Sequence, residues 1–139
     1  MTDASRLLDG LVSRNLSIIV LSEGKELYTS TLPGVRPLLE LVDRFPEGLA
    51  GATVADRLVG SCAARVFVYL RVTRVLGFKG SRVAEQILTG AGTEFHFGTL
   101  IPEVMNRSGT GLCPFEQLSR EHPDPEQLLE AIRAKLSGR

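Results

Sequence analysis

Gly60-Ser61-Cys62-Ala63-Ala64-Arg65-Val66-Phe67-Val68-Tyr69-Leu70-Arg71-Val72 is the stretch on which the fold turns. It is apolar nearly all round, so its environment must be a core rather than a surface. It outruns a strand of roughly 4–8 residues and therefore reads as a buried helix over 60–72. Working outward, the next segments alternate in period. A strand is expected at 74–78, then a helix at 81–89 capped by Ser81, closed by Gly90-Ala91-Gly92. A further strand follows at 94–100. On the other side, 52–55 reads as a short strand behind the loop Phe45-Pro46-Glu47-Gly48.

Further upstream, Val35, Leu38, Leu39 and Val42 repeat at helical spacing, which predicts a helix over 35–44, with Pro37 tolerated in its first turn. The run 16–21 and its partner 26–31 flank Ser22-Glu23-Gly24-Lys25 and read as a hairpin. Leu7, Leu8, Leu11 and Val12 share a face of a helix over 3–13, with Thr2 or Asp3 as its cap. At the other end Asp124-Pro125-Glu126-Gln127 combines a cap, an N1 proline and a capping-box partner. Leu128, Leu129, Ile132 and Leu136 form that helix's apolar stripe. Alternating strands and helices define an α/β class in which helices cover a mixed sheet.

The chain has 139 residues, which sets the expectation of one domain spanning 1–139. Hydrophobic residues make up 43% and tryptophan is absent, so the core rests on Leu, Val, Ile and Ala. Sixteen basic residues balance sixteen acidic ones, which argues against a nucleic-acid partner. No apolar run reaches the roughly 20 residues of a membrane span, and Met1-Thr2-Asp3-Ala4 does not open a signal peptide. Two cysteines, Cys62 and Cys113, are too few for a disulfide framework. The expectation is a cytoplasmic protein with both thiols reduced, no membrane partner, and self-association into a homo-oligomer left open.

Residues 101–114 pack many loop formers into a compact chain, and such loops often carry function. Gly109-Thr110-Gly111 precedes a helix expected to start at Cys113, with Pro114 at N1. Glycines that turn amides outward, ahead of a helix N-terminus, suit a phosphate or carboxylate. Asn106, Arg107 and Thr110 would add side-chain donors. The bland reading is a glycine turn with an ordinary cap. Cys113 at the helix start has three readings: structural, ligand-contacting, or nucleophilic through a dipole-favoured thiolate. Glu116 at N3 opposes the last unless it turns back to the N-cap amide.

The segments Gly51-Ala52-Thr53-Val54-Ala55-Asp56-Arg57-Leu58-Val59-Gly60-Ser61-Cys62-Ala63-Ala64 and Asn106-Arg107-Ser108-Gly109-Thr110-Gly111-Leu112-Cys113-Pro114-Phe115-Glu116 resemble a prokaryotic domain-of-unknown-function family. The resemblance runs over about 12–120. It implies a three-layer cytidine-deaminase-like fold. It also places Asp56, Arg57 and Ser61, between the short strand and the buried helix, at the edge of a substrate cleft. A solvated charge pair is the alternative for Asp56-Arg57. Lys79 and Arg82 have the same standing one junction on.

A zinc deaminase needs H-x-E or C-x-E on one helix and P-C-x-x-C on the next. Here Cys62-Ala63-Ala64 puts alanine where the proton-shuttling glutamate belongs, and no cysteine lies between 63 and 112. One possible ligand is left of the three catalytic zinc requires, and Cys62, His96 and Cys113, weighed as a different site, show no paired ligand spacing. No zinc, no other cofactor and no deaminase activity are expected. The functional expectation is a deaminase-fold protein holding a small anionic or nucleotide-like metabolite at Asp56, Arg57, Ser61, Asn106, Arg107, Gly109, Thr110, Gly111, Cys113 and Glu116. The alternative is a cysteine-dependent enzyme using Cys113.

Overall fold

A computed structural model describes residues 3–138. In chain order it runs α1 (Asp3–Ser13), β1 (Ile18–Ser22), β2 (Lys25–Ser30), α2 (Arg36–Arg44), β3 (Thr53–Val59) and α3 (Ser61–Tyr69). It continues with β4 (Arg74–Ser81), α4 (Arg82–Gly90), β5 (Glu94–Ile101), α5 (Pro114–Glu121) and α6 (Pro125–Leu136). The elements thus follow the alternation that the sequence implies. Thr2, offered as a cap for α1, lies outside the described residues, and Asp3 stands in the first turn.

The hairpin β1–β2 closes through Glu23 and Gly24, both left-handed at φ 50 and 78. Consecutive positive φ values match the twist of the flanking strands. β3 lies between β1 and β4 in one five-stranded sheet of order β2-β1-β3-β4-β5. The β1 pairings are antiparallel, whereas β3, β4 and β5 run parallel. The sheet is therefore mixed, and α3 and α4 serve as its crossovers.

β3 corrects the short strand expected at 52–55. Asp56 and Arg57 are not a junction between strand and helix but belong to the strand itself. Asp56 pairs with Ile18 of β1 on one side and Gly77 of β4 on the other. Asp is a poor strand former, and the neighbouring strands on both edges extend the ladder through Asp56.

Two apolar layers form on the two faces of the sheet. Leu8 and Leu11 of α1 pack with Leu16, Ile19, Ala55 and Leu76. The larger cluster joins Val20, Val54 and Val75 to the other helices, with Leu38, Leu41, Phe67, Leu88, Leu128 and Ile132 among its members. Phe67 is fully buried, which contributes roughly 1.5–3 kcal/mol through burial alone. α3 stops three residues before 72, because Arg71 turns left-handed at φ 62. The Val72 amide then reaches Phe67 O and the Arg71 amide reaches Val68 O, a Schellman closure. The Arg71 guanidinium donates to Glu47 O at 3.0 Å, a contact that glycine could not supply.

Caps at α4 and α6 follow the sequence. Ser81 Oγ accepts from the Ala84 amide at 3.1 Å, and Asp124 Oδ2 from the Gln127 amide at 3.0 Å. Among the described residues, no helix is long and apolar enough to cross a membrane.

Candidate functional site

β3 delivers its carboxyl end to the first turn of α3, and α5 crosses that junction. Alternation along β3 sends Val54 and Asp56 to the α3 face and Arg57 to the α1 face. The Arg57 guanidinium accordingly donates to Leu16 O at 2.8 Å and Leu11 O at 2.9 Å. It bonds one carbonyl in the last turn of α1 and one in the loop that follows, so two of its donors are already engaged there.

The junction of α3 and α5 is made by Glu116. Its Oε1 accepts from the Ser61 amide at 2.7 Å and its Oε2 from the Cys62 amide at 2.9 Å. The side chain is buried. Those two amides are among the unpaired donors of a helix N-terminus, and the carboxylate also meets the positive end of the α3 dipole. Glu116 therefore caps a foreign helix and does not turn back to the N-cap amide of its own. The Cys113 amide is taken instead by Val104 O at 3.0 Å. Gly60 makes the arrangement sterically feasible, since a Cβ there would stand 2.6 Å from Glu116 Cδ.

Around this junction lies a pocket of about 490 Å³. Its wall is mostly apolar, with Leu16, Ile18, Val35, Leu38, Leu58, Val104 and Phe115 among its residues, and Asn15, Ser17, Thr31, Asp56, Arg57, Cys62, Cys113 and Glu116 supply its polar side chains. Burial pushes the Asp56 carboxyl up to about 7, against the opposing pull of the Arg57 and Leu58 amides. The Arg57 amide donates to Asp56 Oδ1 at 2.8 Å. Burial above all, and then Glu116 and Cys113 nearby, push the Cys62 thiol up to about 12, so it stays protonated at neutral pH.

Of the residues singled out from sequence, Asp56, Arg57, Cys113 and Glu116 meet on this pocket. Ser61 contributes through its bonded amide rather than as a lining side chain. Asn106, Arg107, Gly109, Thr110 and Gly111 do not line it. They form a closed turn: Asn106 Oδ1 accepts from the Thr110 amide and Ser108 Oγ, both at 3.1 Å, and the Asn106 amide donates to Gly111 O. Arg107 is exposed at its tip. Sequence reasoning missed Leu16, Val35, Leu38, Leu58 and Phe115, because an apolar residue facing a pocket has the same local signature as one in the core. A carboxylate at N3 of a short helix was the one visible signal of the junction.

A small α/β protein whose β3–α3 turn and α5 enclose one apolar pocket is the class that this geometry defines. Residues 6–136 match the family model described as TM1506, domain of unknown function (DUF1893), and the chain belongs to that family. A crystal structure of a DUF1893 family protein (TM1506) from Thermotoga maritima, at 2.70 Å resolution, superposes with a TM-score of 0.84 at 29% identity. The match covers 94% of this chain and 88% of that one. No curated protein matches.

The zinc that a deaminase-like resemblance implies does not fit these residues. Ala64, where the deaminase sequence pattern would have its glutamate, is fully buried in the core. His96 lies on β5 in a separate small cleft with Arg74 and Glu94. Glu116 is held by two amides, and among the described residues no three His, Cys, Asp or Glu side chains are grouped to hold a metal.

Proposed function

We propose that this protein binds a compact, largely apolar small molecule in the pocket between α2, α3 and α5, with Asp56 as its polar contact. The observation that carries this is a cavity of about 490 Å³ whose mostly apolar wall holds one half-buried carboxyl, Asp56, pushed up to about 7. Ligand pockets are of this kind, roughly 300–1,000 Å³ of apolar lining with a few convergent polar groups. The cytidine-deaminase-like reading of the fold has its support in the sheet order β2-β1-β3-β4-β5 with parallel β3, β4 and β5. An anionic occupant has less support than the sequence offered. The Ser61 and Cys62 amides serve Glu116, the Arg57 guanidinium serves two carbonyls, and Arg107 is off the wall. A nucleotide-like occupant would enter by its base rather than its phosphate.

The test is an NMR screen of small ring compounds against labelled protein. Binders should shift Leu16, Leu58 and Cys62 together, and Ala63→Phe, which fills the pocket, should abolish those shifts in a protein of unchanged circular dichroism. Shifts that survive Ala63→Phe would overturn the reading.

The second reading, a cysteine enzyme using Cys113, has one observation in its favour: Cys113 stands half-buried on the pocket wall. Neither His96 nor His122 lines that wall to act as its base. Rapid alkylation of Cys113 at neutral pH, blocked by a pocket ligand, would support it. A slow rate, like that of a simple thiol, would dismiss it.

A further inference from the structure

We propose that the pocket selects a positively charged nitrogen group, an amine or amidine on an apolar body, seated against the Asp56 carboxylate. This rests on the pocket reading above and names the chemistry of its occupant.

Three charged side chains line the pocket: Asp56, Arg57 and Glu116. Arg57 turns its guanidinium to the other face of the sheet and onto the carbonyls of Leu11 and Leu16. Glu116 is matched on both oxygens by the amides that open α3. Among the described residues, Asp56 is met by the amides of its own neighbours Arg57 and Leu58 and by no cationic side chain. From β4, the titratable side chain in nearest register is Lys79, opposite Leu58, and it does not line the wall.

One carboxyl is thus left without a counter-charge beside an apolar cavity. A cation placed there restores what burial removed, because opposite charges attract more strongly where water is excluded. An anion would meet Asp56 and Glu116 together. A neutral occupant would meet the apolar wall but would leave the charge uncompensated.

Linkage follows from the same geometry. With its carboxyl at about 7, Asp56 carries its proton in much of the free protein at mildly acidic pH. A cation binds the ionised form and expels that proton. Affinity should therefore rise as pH rises to about 7 and level off above it, by up to about tenfold per pH unit on the acid side. The other titratable groups on the wall are Arg57, Glu116, Cys62 and Cys113, and Cys62 stays protonated throughout.

The experiment uses three probes of one shape and three charges: benzamidine, benzamide and benzoate. Each is titrated into the full chain by NMR at pH 8, and benzamidine also by calorimetry at pH 6 in two buffers of different ionisation enthalpy. The expected order is benzamidine tightest and benzoate weakest, with proton release on benzamidine binding. Asp56→Asn keeps the acceptor for the Arg57 amide. It should cost benzamidine about tenfold or more and end the proton release, while benzamide is unaffected. Benzoate binding as tightly as benzamidine, or a preference that survives Asp56→Asn, would overturn the charge inference and leave the pocket reading standing. Shifts outside the pocket, or none with any of the three probes, would overturn both.

Discussion

The α3–α5 junction and the turn at 106–111 are both built from short polar groups meeting backbone amides, yet they differ in reach and in burial. In the turn every bond spans five residues or fewer, and the side chains of Ser108 and Thr110 are exposed. At the junction Glu116 meets amides 54 and 55 residues away in the sequence, and the bonds are buried. The difference lies in what water can replace. An exposed turn that loses a bond regains it from solvent, whereas a buried amide that loses its acceptor keeps the full desolvation penalty. On the same pocket wall the two carboxyls differ: Glu116 is matched by two amides, whereas burial pushes the Asp56 carboxyl up.

The largest effect should come from Glu116→Ala. Two buried amides lose their acceptor at about 1–3 kcal/mol each, so thermal and urea unfolding should show a loss of about 2–6 kcal/mol. A loss below about 1 kcal/mol would mean that the junction is wet and that the contrast with the turn fails.

Asp56→Asn is next and tests the other carboxyl. Its folded value of about 7 lies above the ordinary 3.8. The sign is thus reversed from a salt-bridged aspartate: the protonated form favours folding, so this contribution is whole below about 4 and is lost as pH rises to about 7. Relative to Asp56→Asn, the native chain should lose on the order of 1–4 kcal/mol across that window. Urea unfolding from pH 4 to 8 measures it, and parallel profiles for the two proteins would show that the carboxyl is solvated.

Gly60→Ala should cost about 1–3 kcal/mol, since the new Cβ would press on a carboxylate pinned by two amides. The same change in a Glu116→Ala background should cost much less, and a double-mutant cycle isolates the coupling. Equal costs in both backgrounds would assign the glycine's role to something other than Glu116.

Arg107→Ala should change unfolding free energy by about 0.5 kcal/mol or less, because the side chain is exposed at the tip of a self-contained turn. It should leave pocket binding of any probe unaltered. A loss of binding in this variant would bring the turn back into the site.

Most elements were legible in the amino-acid sequence, and for local reasons. The helical spacing at 35–44, the hairpin residues Glu23-Gly24, and the caps Ser81 and Asp124 each act within a few positions. Cys113 and Pro114 likewise announced the start of α5. The site was legible only in part. Asp56, Arg57, Cys113 and Glu116 stood out as polar or reactive residues near element ends, and the pocket does gather them.

Their roles were decided elsewhere. Whether the amides of Ser61 and Cys62 were free for a ligand depended on a carboxylate from a helix far along the chain. Whether Arg57 could meet an anion depended on which sheet face it occupied, and hence on pairing with both β1 and β4. Whether Asp56 was solvated depended on the apolar wall assembled around it. Periodicity, turns and caps are properties of neighbouring residues, so the sequence by itself determined them. Charge compensation and exclusion of water are properties of groups brought together from distant positions, so only the tertiary structure decided them.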